Sequence, residues 1–397
     1  MERELESGLS FSYDSVDQEI VCGADAISGI GSSLDRLGVA RALLVCGPTI
    51  LRESDAVQRV RQALGERCVG LFSGVEPHAP MGVVYEAGAL ARKLRPDVLV
   101  SVGGGSTHDT CRGIAILLAG GHDLHDYEIR FEPPKKVFMP DLPPGRLPII
   151  SVPTTMGGAE LSRTGGDITD KAQGRKLILS GKGANHKAII IDGRALATTP
   201  APILVSTAMG QFRIAVESVY SRRHHPICDA LALHAIEMLV RYLPGCPGKD
   251  LDCLLNTKTA ACLASLAGAV GQGINTATSH QVGALYGVDH GEANAILLPH
   301  TMRFNLDASA DRQALIARAM GIETTGMSAE EAGLAAADAV DRLCRELKIP
   351  ATLREAGVPE DGLELIAAAT LRGQALATNP KPVADIGPVM KVLREAW

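Results

Sequence analysis

The stretch SVGGGSTHDT (101–110) places three glycines and a serine between an apolar run and a helical pattern. Glycine lacks the Cβ that would keep main-chain N–H groups away from a pyrophosphate, and the N-terminus of the following helix is electropositive. Ser106 and Thr107 can cap that helix. The chemistry this suits is phosphate binding, although a glycine triplet also serves a plain strand-to-helix turn. A second stretch, SVPTTMGGAE (151–160), again delivers hydroxyls and glycines at the end of an apolar run. Two such loops from one sheet can close on a single dinucleotide.

The elements that would carry these loops are short. RALLVCG (41–47), CVGLFSG (68–74), PDVLVSVGGG (96–105), LPIISVPTT (147–155) and the start of KAIIIDGRALATTPAP (187–202) read as buried strands. Helical patterns separate them, one reaching about residue 65 and another running from Val83 to Lys93. This alternation predicts parallel βαβ units, hence an open α/β sheet. Beyond residue 203, ALALHAIEMLVRYL and AEEAGLAAADAVDRLCRELKI carry apolar residues at helical spacing, and strand-like runs nearly vanish. The predicted organisation is an α/β dinucleotide-binding domain over 1–198 and an all-α domain over 199–397. A ligand at the carboxyl ends of the strands would sit between them.

Composition narrows the function classes. The chain has 397 residues, 46% hydrophobic and 21% charged, with a net charge of −6. That suits two folded domains and gives no basic stripe for nucleic acid. The apolar runs are too short to cross a bilayer, and the acidic start MERELESGLSFSYDS is unlike a signal peptide. The nine cysteines are scattered, with no C-x-x-C pair, so neither a disulfide framework nor a zinc ribbon is expected. A reducing cytoplasm is the expected location, and a small molecule the expected partner.

Five motifs occur in order: FSGVEPHAP (72–80), GGGSTHD (103–109), PTTMGGAE (153–160), NHKAIIIDGRAL (185–196) and HQVGALYGVDHGEANAILLPH (280–300). Together they resemble the iron-containing (group III) alcohol dehydrogenase superfamily, whose architecture is like that of dehydroquinate synthase. The resemblance implies hydride transfer between NAD(P) and a carbonyl or alcohol, and a homodimer. It places Gly104, Gly105 and Ser106 on the pyrophosphate, and Thr154 and Thr155 beside the ribose and nicotinamide. Asp109 would hold the glycine loop or serve as a first-turn acid of the helix. Many members close the first strand with an acidic residue on the adenine ribose. Gly47 stands there, which removes the repulsion toward a 2′-phosphate and permits NADP(H) as well as NAD(H).

The family's metal is held by an aspartate and a histidine four residues apart and by two later histidines. In AMGQFRIAVE (208–217) the first two positions are Gly210 and Ile214; in TATSHQVGALYGVDHG (276–291) the other two are Thr276 and His290. One imidazole cannot hold a divalent ion firmly, so no catalytic metal is expected. The short loop PTTMGGAE and the tail ATNPKPVADIGPVMKVLREAW (377–397) resemble the maleylacetate reductase branch. The expected activity is therefore metal-independent NAD(P)H-dependent reduction of a small, carboxylated keto or enone compound. A lyase or isomerase on the same scaffold, or a nucleotide-binding pseudoenzyme, are the alternatives. His280 and His290 are the candidate proton donors, with a helix end or turn as the rival role for His290. Gln211, Arg213, Asn275 and Thr276 are candidate substrate contacts. Arg213 lies one step off the inward face set by Gly210 and Ile214, which predicts a solvent-facing side chain; the alternative is that it orients an acidic substrate. His224 and His225 read as surface histidines of a loop.

Overall fold

Four runs of the first half are buried along their whole length: β2 (Ala42–Cys46), β4 (Val98–Gly103), β7 (Ile149–Pro153) and β10 (Ala188–Asp192). Strands with no solvent face must be covered on both sides, which is the situation of a parallel sheet between helices. In the computed structural model, which describes residues 11–13, 15, 17–132, 136–138, 140–162, 166–179 and 186–397, they do form that sheet. With β1 (Glu19–Gly23) and β3 (Cys68–Phe72), six parallel strands run in the order β1-β10-β7-β4-β2-β3. Asn185 and residues 1–10, which the sequence reading used, lie outside the described residues.

The five expected strands are present. β1 was not anticipated, because its five residues alternate between half-buried and exposed at the sheet edge. Two hairpins were also missed: β5 (Arg130–Glu132) with β6 (Lys136–Phe138), and β8 (Gly166–Asp170) with β9 (Arg175–Leu179). Helices α1 (Ile30–Leu37), α2 (Pro48–Glu53), α3 (Ala56–Leu64), α4 (Met81–Leu94), α5 (Gly105–Leu118) and α6 (Gly193–Ala197) accompany the sheet. One apolar cluster packs α4 and α5 on one face, and another packs α1 and α3 on the other.

Strand order decides where a ligand can enter. The chain passes from β2 outward to β3 and then returns to β4 on the other side of β2. The crevice outside the carboxyl ends of β2 and β4 is a topological switch point. Gly47 follows β2, and the glycine loop ends β4.

The second half is helical: α7 (Ala201–Tyr220), α8 (Pro226–Tyr242), α9 (Leu251–Ala267), α10 (Ile274–Tyr286), α11 (His290–Ala319, bent at Ser309), α12 (Ala329–Glu346), α13 (Leu363–Thr370) and α14 (Ile386–Ala396). α7 is buried along most of its length and packs against α8, α9 and α11. By length and composition alone, Leu251–Val270 could span a membrane, but half of it is buried inside the fold, as in a core helix.

Candidate functional site

The glycine loop is shaped for a ligand. Gly103 has φ +153°, and a Cβ there would lie 2.4 Å from Thr107 Oγ1. The N–H groups of Thr107 and His108 both donate to the Gly104 carbonyl, at 3.0 and 3.2 Å. The Gly105 and Ser106 amides find no acceptor among the described residues, and no side chain caps α5. The start of this 14-residue helix therefore has open donors for an anion. The Thr154 N–H donates to the Gly103 carbonyl at 3.0 Å, so the two loops are one unit. Ser106 Oγ accepts the His78 N–H at 2.8 Å, which ties in a third loop.

Behind the loops lies a buried polar cluster that sequence reading missed. Glu160 pairs with Lys258 of α9, and Lys258 also donates to the Gly157 carbonyl. Both side chains are fully enclosed. Burial works to raise the Glu160 pKa, but the charge and hydrogen bond of Lys258 together with His108 outweigh it and hold the carboxyl below the usual range. His108 bonds Ser101 Oγ at 2.8 Å and faces Glu160 across 3.8 Å; His186 bonds Ser151 and meets His108 edge-on. The signal for this cluster was a lone lysine inside the apolar run LLNTKTAACLA, since a buried ammonium requires a carboxylate partner.

Asp109 corrects one expectation. It lies beyond the first turn of α5 and bonds Arg112 at 2.7 Å; burial, the main cause, pushes its carboxyl up to about 7. Arg112 in turn reaches the Ala159 and Ser162 carbonyls. The pair fixes the second loop against α5 rather than holding the glycines.

Between the halves lies a cavity of about 930 Å³. Gly105, Thr155 and the 157–159 turn form one wall; Gly210, Gln211, Arg213 and Ile214 of α7, with His290 and Gly291 of α11, form another. His290 is the first residue of α11, and the Asp289 carboxylate caps that helix by accepting from Gly291 and Glu292 at 3.0 and 3.1 Å. A Cβ at Gly291 would fall 1.9 Å from the Ser206 carbonyl oxygen, so glycine lets α11 start against α7. The His280 and His290 rings lie 4.9 Å apart. Both residues are partly open to solvent while protein crowds their other sides; His290 lines the cavity, whereas His280 stands behind it outside the lining. That enclosure by protein is the first cause that holds both below the ordinary histidine pKa; the Arg213 charge comes next for His280, and the neighbouring His280 and then Arg213 for His290.

Arg213 is not at the surface, contrary to the sequence expectation: it is 3% exposed and lines the cavity. Its Nη1 donates to Thr276 Oγ1, Gln272 Oε1 and, at 3.4 Å, Glu217 Oε2. Glu217 stands four residues on, a helix pairing visible in RIAVE but not recognised there. Arg213 Nε has no hydrogen-bond partner among the described residues.

Other candidates are placed differently from expectation. Asn275 is buried away from the cavity, donating to the Asn294 carbonyl and Thr301. Thr276 is buried too and reaches the cavity only through Arg213. Gln211 lines the cavity, but the orientation that satisfies its amide accepts from the Gly158 N–H at 3.1 Å and donates to Ser265 at 2.7 Å, joining the two walls. Thr155 faces the cavity, whereas Thr154 is buried and its carbonyl accepts from Thr199 Oγ1 at 2.7 Å. Gly47, Gly104 and Ser106 lie outside the cavity lining. His224 is exposed as expected, but His225 is buried, accepts the Cys228 N–H to cap α8, and stacks under Phe11 at the cavity mouth.

Comparison with known proteins places this geometry. Residues 17–193 match the iron-containing alcohol dehydrogenase family model, and residues 204–397 match the model for the C-terminal part of the Fe-containing alcohol dehydrogenase family. The 1,3-propanediol dehydrogenase of Citrobacter freundii is 33% identical, over 94% of this chain and 96% of its own. The chain belongs to the iron-containing alcohol dehydrogenase family. It is an oxidoreductase of that family. The lactaldehyde reductase of Escherichia coli (strain K12) is 30% identical, over 94% of this chain and 97% of its own. A crystal structure of 1,3-propanediol oxidoreductase superposes with a TM-score of 0.89 at 31% identity, covering 98% of this chain and 100% of that one. Maleylacetate reductase from Rhizobium sp. strain MTP-10005 shares the fold, with a TM-score of 0.81 at 24% identity over 98% of both chains.

The family name implies iron, and the donor set here does not fit it. Gly210 and Ile214 have no donor atom, and the Thr276 hydroxyl is taken up by Arg213, Glu217 and Gln272. Among the described residues, no group of three or more His, Cys, Asp or Glu is arranged to hold a metal ion.

Proposed function

We propose that this chain is an NAD(P)H-dependent reductase of a small, carboxylated keto or enone substrate, resembling maleylacetate reductase, and that it works without a metal ion. The observation that carries the reading is a buried arginine hydrogen-bonded to Thr276, with glycine and isoleucine at two further metal-ligand positions of the family.

The cofactor end suits a dinucleotide. The open amides of Gly105 and Ser106 and the small Gly104 would hold the pyrophosphate, and Thr155 would face the nicotinamide end. Gly47 offers no carboxylate to repel a 2′-phosphate, and the names of two relatives, NAD-dependent methanol dehydrogenase and NADPH-dependent butanol dehydrogenase, include both cofactors. When bound, the dihydronicotinamide supplies a hydride. His290 lines the cavity and would hand a proton to the oxygen of the reduced carbonyl, with the His280 ring beside it. A carboxylated substrate brings negative charge to a wall that already holds Arg213, which favours its binding and raises the histidines' affinity for a proton.

The test is calorimetric titration of chelator-treated protein with NADPH and NADH, followed by turnover on pyruvate, oxaloacetate, 2-oxoglutarate, maleylacetate and neutral aldehydes. Micromolar nucleotide binding and turnover of an oxo acid in the presence of chelator are expected. Absence of binding by either nucleotide refutes the redox reading.

A further inference from the structure

We infer that the Arg213 guanidinium takes the place of the family's metal ion as the fixed positive charge of the site, binding the substrate oxygen on which negative charge develops. This rests on the reductase reading above and assigns the electrophile that a metal-free reaction needs.

Three observations carry it. First, the guanidinium is located at the ligand set itself: its Nη1 touches Thr276, which stands at one ligand position, and its residue lies between Gly210 and Ile214, which stand at two others. Second, it is held rigidly. Nη1 is fully used by Thr276, Gln272 and Glu217, and the side chain is 3% exposed. Third, its donors are not exhausted. Nε is buried without a partner, and Nη2 makes no hydrogen bond among the described residues, on a side chain that lines the cavity. A buried donor left unpaired is costly unless a ligand or water completes it.

The chemistry balances with one external reductant, the dihydronicotinamide. The carbonyl carbon gains the hydride, and the C=O π pair moves onto oxygen. The N–H groups of Arg213 Nη2 receive that oxygen as it becomes an alkoxide, and a proton delivered through His290 completes the alcohol. A guanidinium does this as a preorganised donor pair with a permanent charge, where a metal ion would act as a Lewis acid.

The experiment uses the full chain after chelator treatment, with Arg213→Met, Arg213→Lys and the double variant Arg213→Met/Glu217→Gln. The double variant removes the carboxylate that Arg213→Met alone would leave buried and unpaired. Nucleotide binding is measured first, and all forms should bind within about threefold of the parent if the glycine loop works independently. Nitrate, a planar oxyanion probe, is then titrated calorimetrically in chloride-free buffer without nucleotide. Binding should be present in the parent, weakened in Arg213→Lys and lost in both Met variants. With the oxo acid that the parent reduces, kcat should fall about 10²–10³-fold in the Met variants. Millimolar guanidinium ion should restore part of it, which a merely structural residue would not allow. A folded double variant that keeps the parent's turnover, or its nitrate affinity, overturns the inference. Failure of the parent to bind nucleotide instead overturns the reductase reading, while the nitrate titration still reports on Arg213.

Discussion

Two buried ion pairs, Lys258–Glu160 and Arg213–Glu217, are built to different specifications. On the nucleotide side, Lys258 spends its donors on Glu160 and the Gly157 carbonyl, and the second carboxylate oxygen faces His108. In the other pair, Arg213 is anchored through Nη1 alone; Nε is buried and Nη2 has no hydrogen bond among the described residues, on a residue that lines the cavity. A closed pair fixes structure: it staples the second loop to α9. An open pair keeps binding capacity in reserve, which evolution retains only where something else completes it.

The largest expected effect breaks the closed pair. Lys258→Met leaves Glu160 as a buried, unpaired charge and should cost about 3–5 kcal/mol of stability in urea unfolding. Adding Glu160→Gln should recover most of that loss. The Arg213→Met and Arg213→Met/Glu217→Gln variants should show the same stability pattern. The contrast should appear in turnover: restored along with stability in the Lys258 series, still absent in the Arg213 series. If both series recover turnover, the two pairs are alike and the distinction between them fails.

A smaller effect sharpens the closed side. Burial pushes His108 from an ordinary 6.5 down to about 4, and His186 shifts in the same direction. A histidine whose folded pKa is depressed takes up protons only on unfolding, so its contribution is present above the unfolded pKa and is lost as pH falls from about 6.5 toward 4. For His108 that amounts to roughly 3 kcal/mol. Unfolding free energy measured from pH 7 to 4 should fall steeply, and His108→Gln, which can still bond Ser101, should flatten the curve by that share. An unchanged slope would mean that His108 is not held neutral.

The sheet and the glycine loops were legible because their signals are local. Five apolar runs, each ending in turn residues, predict strands without reference to the rest of the chain. β1 was illegible because an edge strand half in water has no distinctive pattern, and its partner β10 lies more than 160 residues away. The cavity wall was harder still. Gly210, Ile214 and Thr276 revealed what was missing from the site, but the fate of Arg213 depended on Gln272, in the loop before α10, and on Thr276 of α10 itself. A helical wheel alone put Arg213 outside, because it counts positions and not the partners that make burial of a charge tolerable.

At the nucleotide end, a Cβ on Gly104 would come 3.0 Å from Thr155 Cγ2 and 3.3 Å from its hydroxyl, pushing Thr155 into the cradle. Gly104→Ala should weaken NAD(P)H binding about tenfold, roughly 1.4 kcal/mol. Unfolding stability should move by less than about 1 kcal/mol, because Gly104 has negative φ and tolerates a side chain there. Undiminished nucleotide affinity in this variant would remove the loop from the binding site.

The smallest effect concerns Arg222 and Arg223, which line the same cavity as Arg213 but are exposed, with no ion pair to either among the described residues. Charges in water attract a carboxylate only weakly and are screened by salt. Replacing both with glutamine should raise KM for a carboxylated substrate about two- to fivefold, leave kcat unchanged, and lose that effect at about 0.5 M salt, where the Debye length shrinks to a few ångströms. KM for a neutral aldehyde should not change. If the neutral substrate suffers equally, the two arginines shape the cavity mouth instead of attracting charge, and any preference for an acidic substrate must come from the buried guanidinium alone.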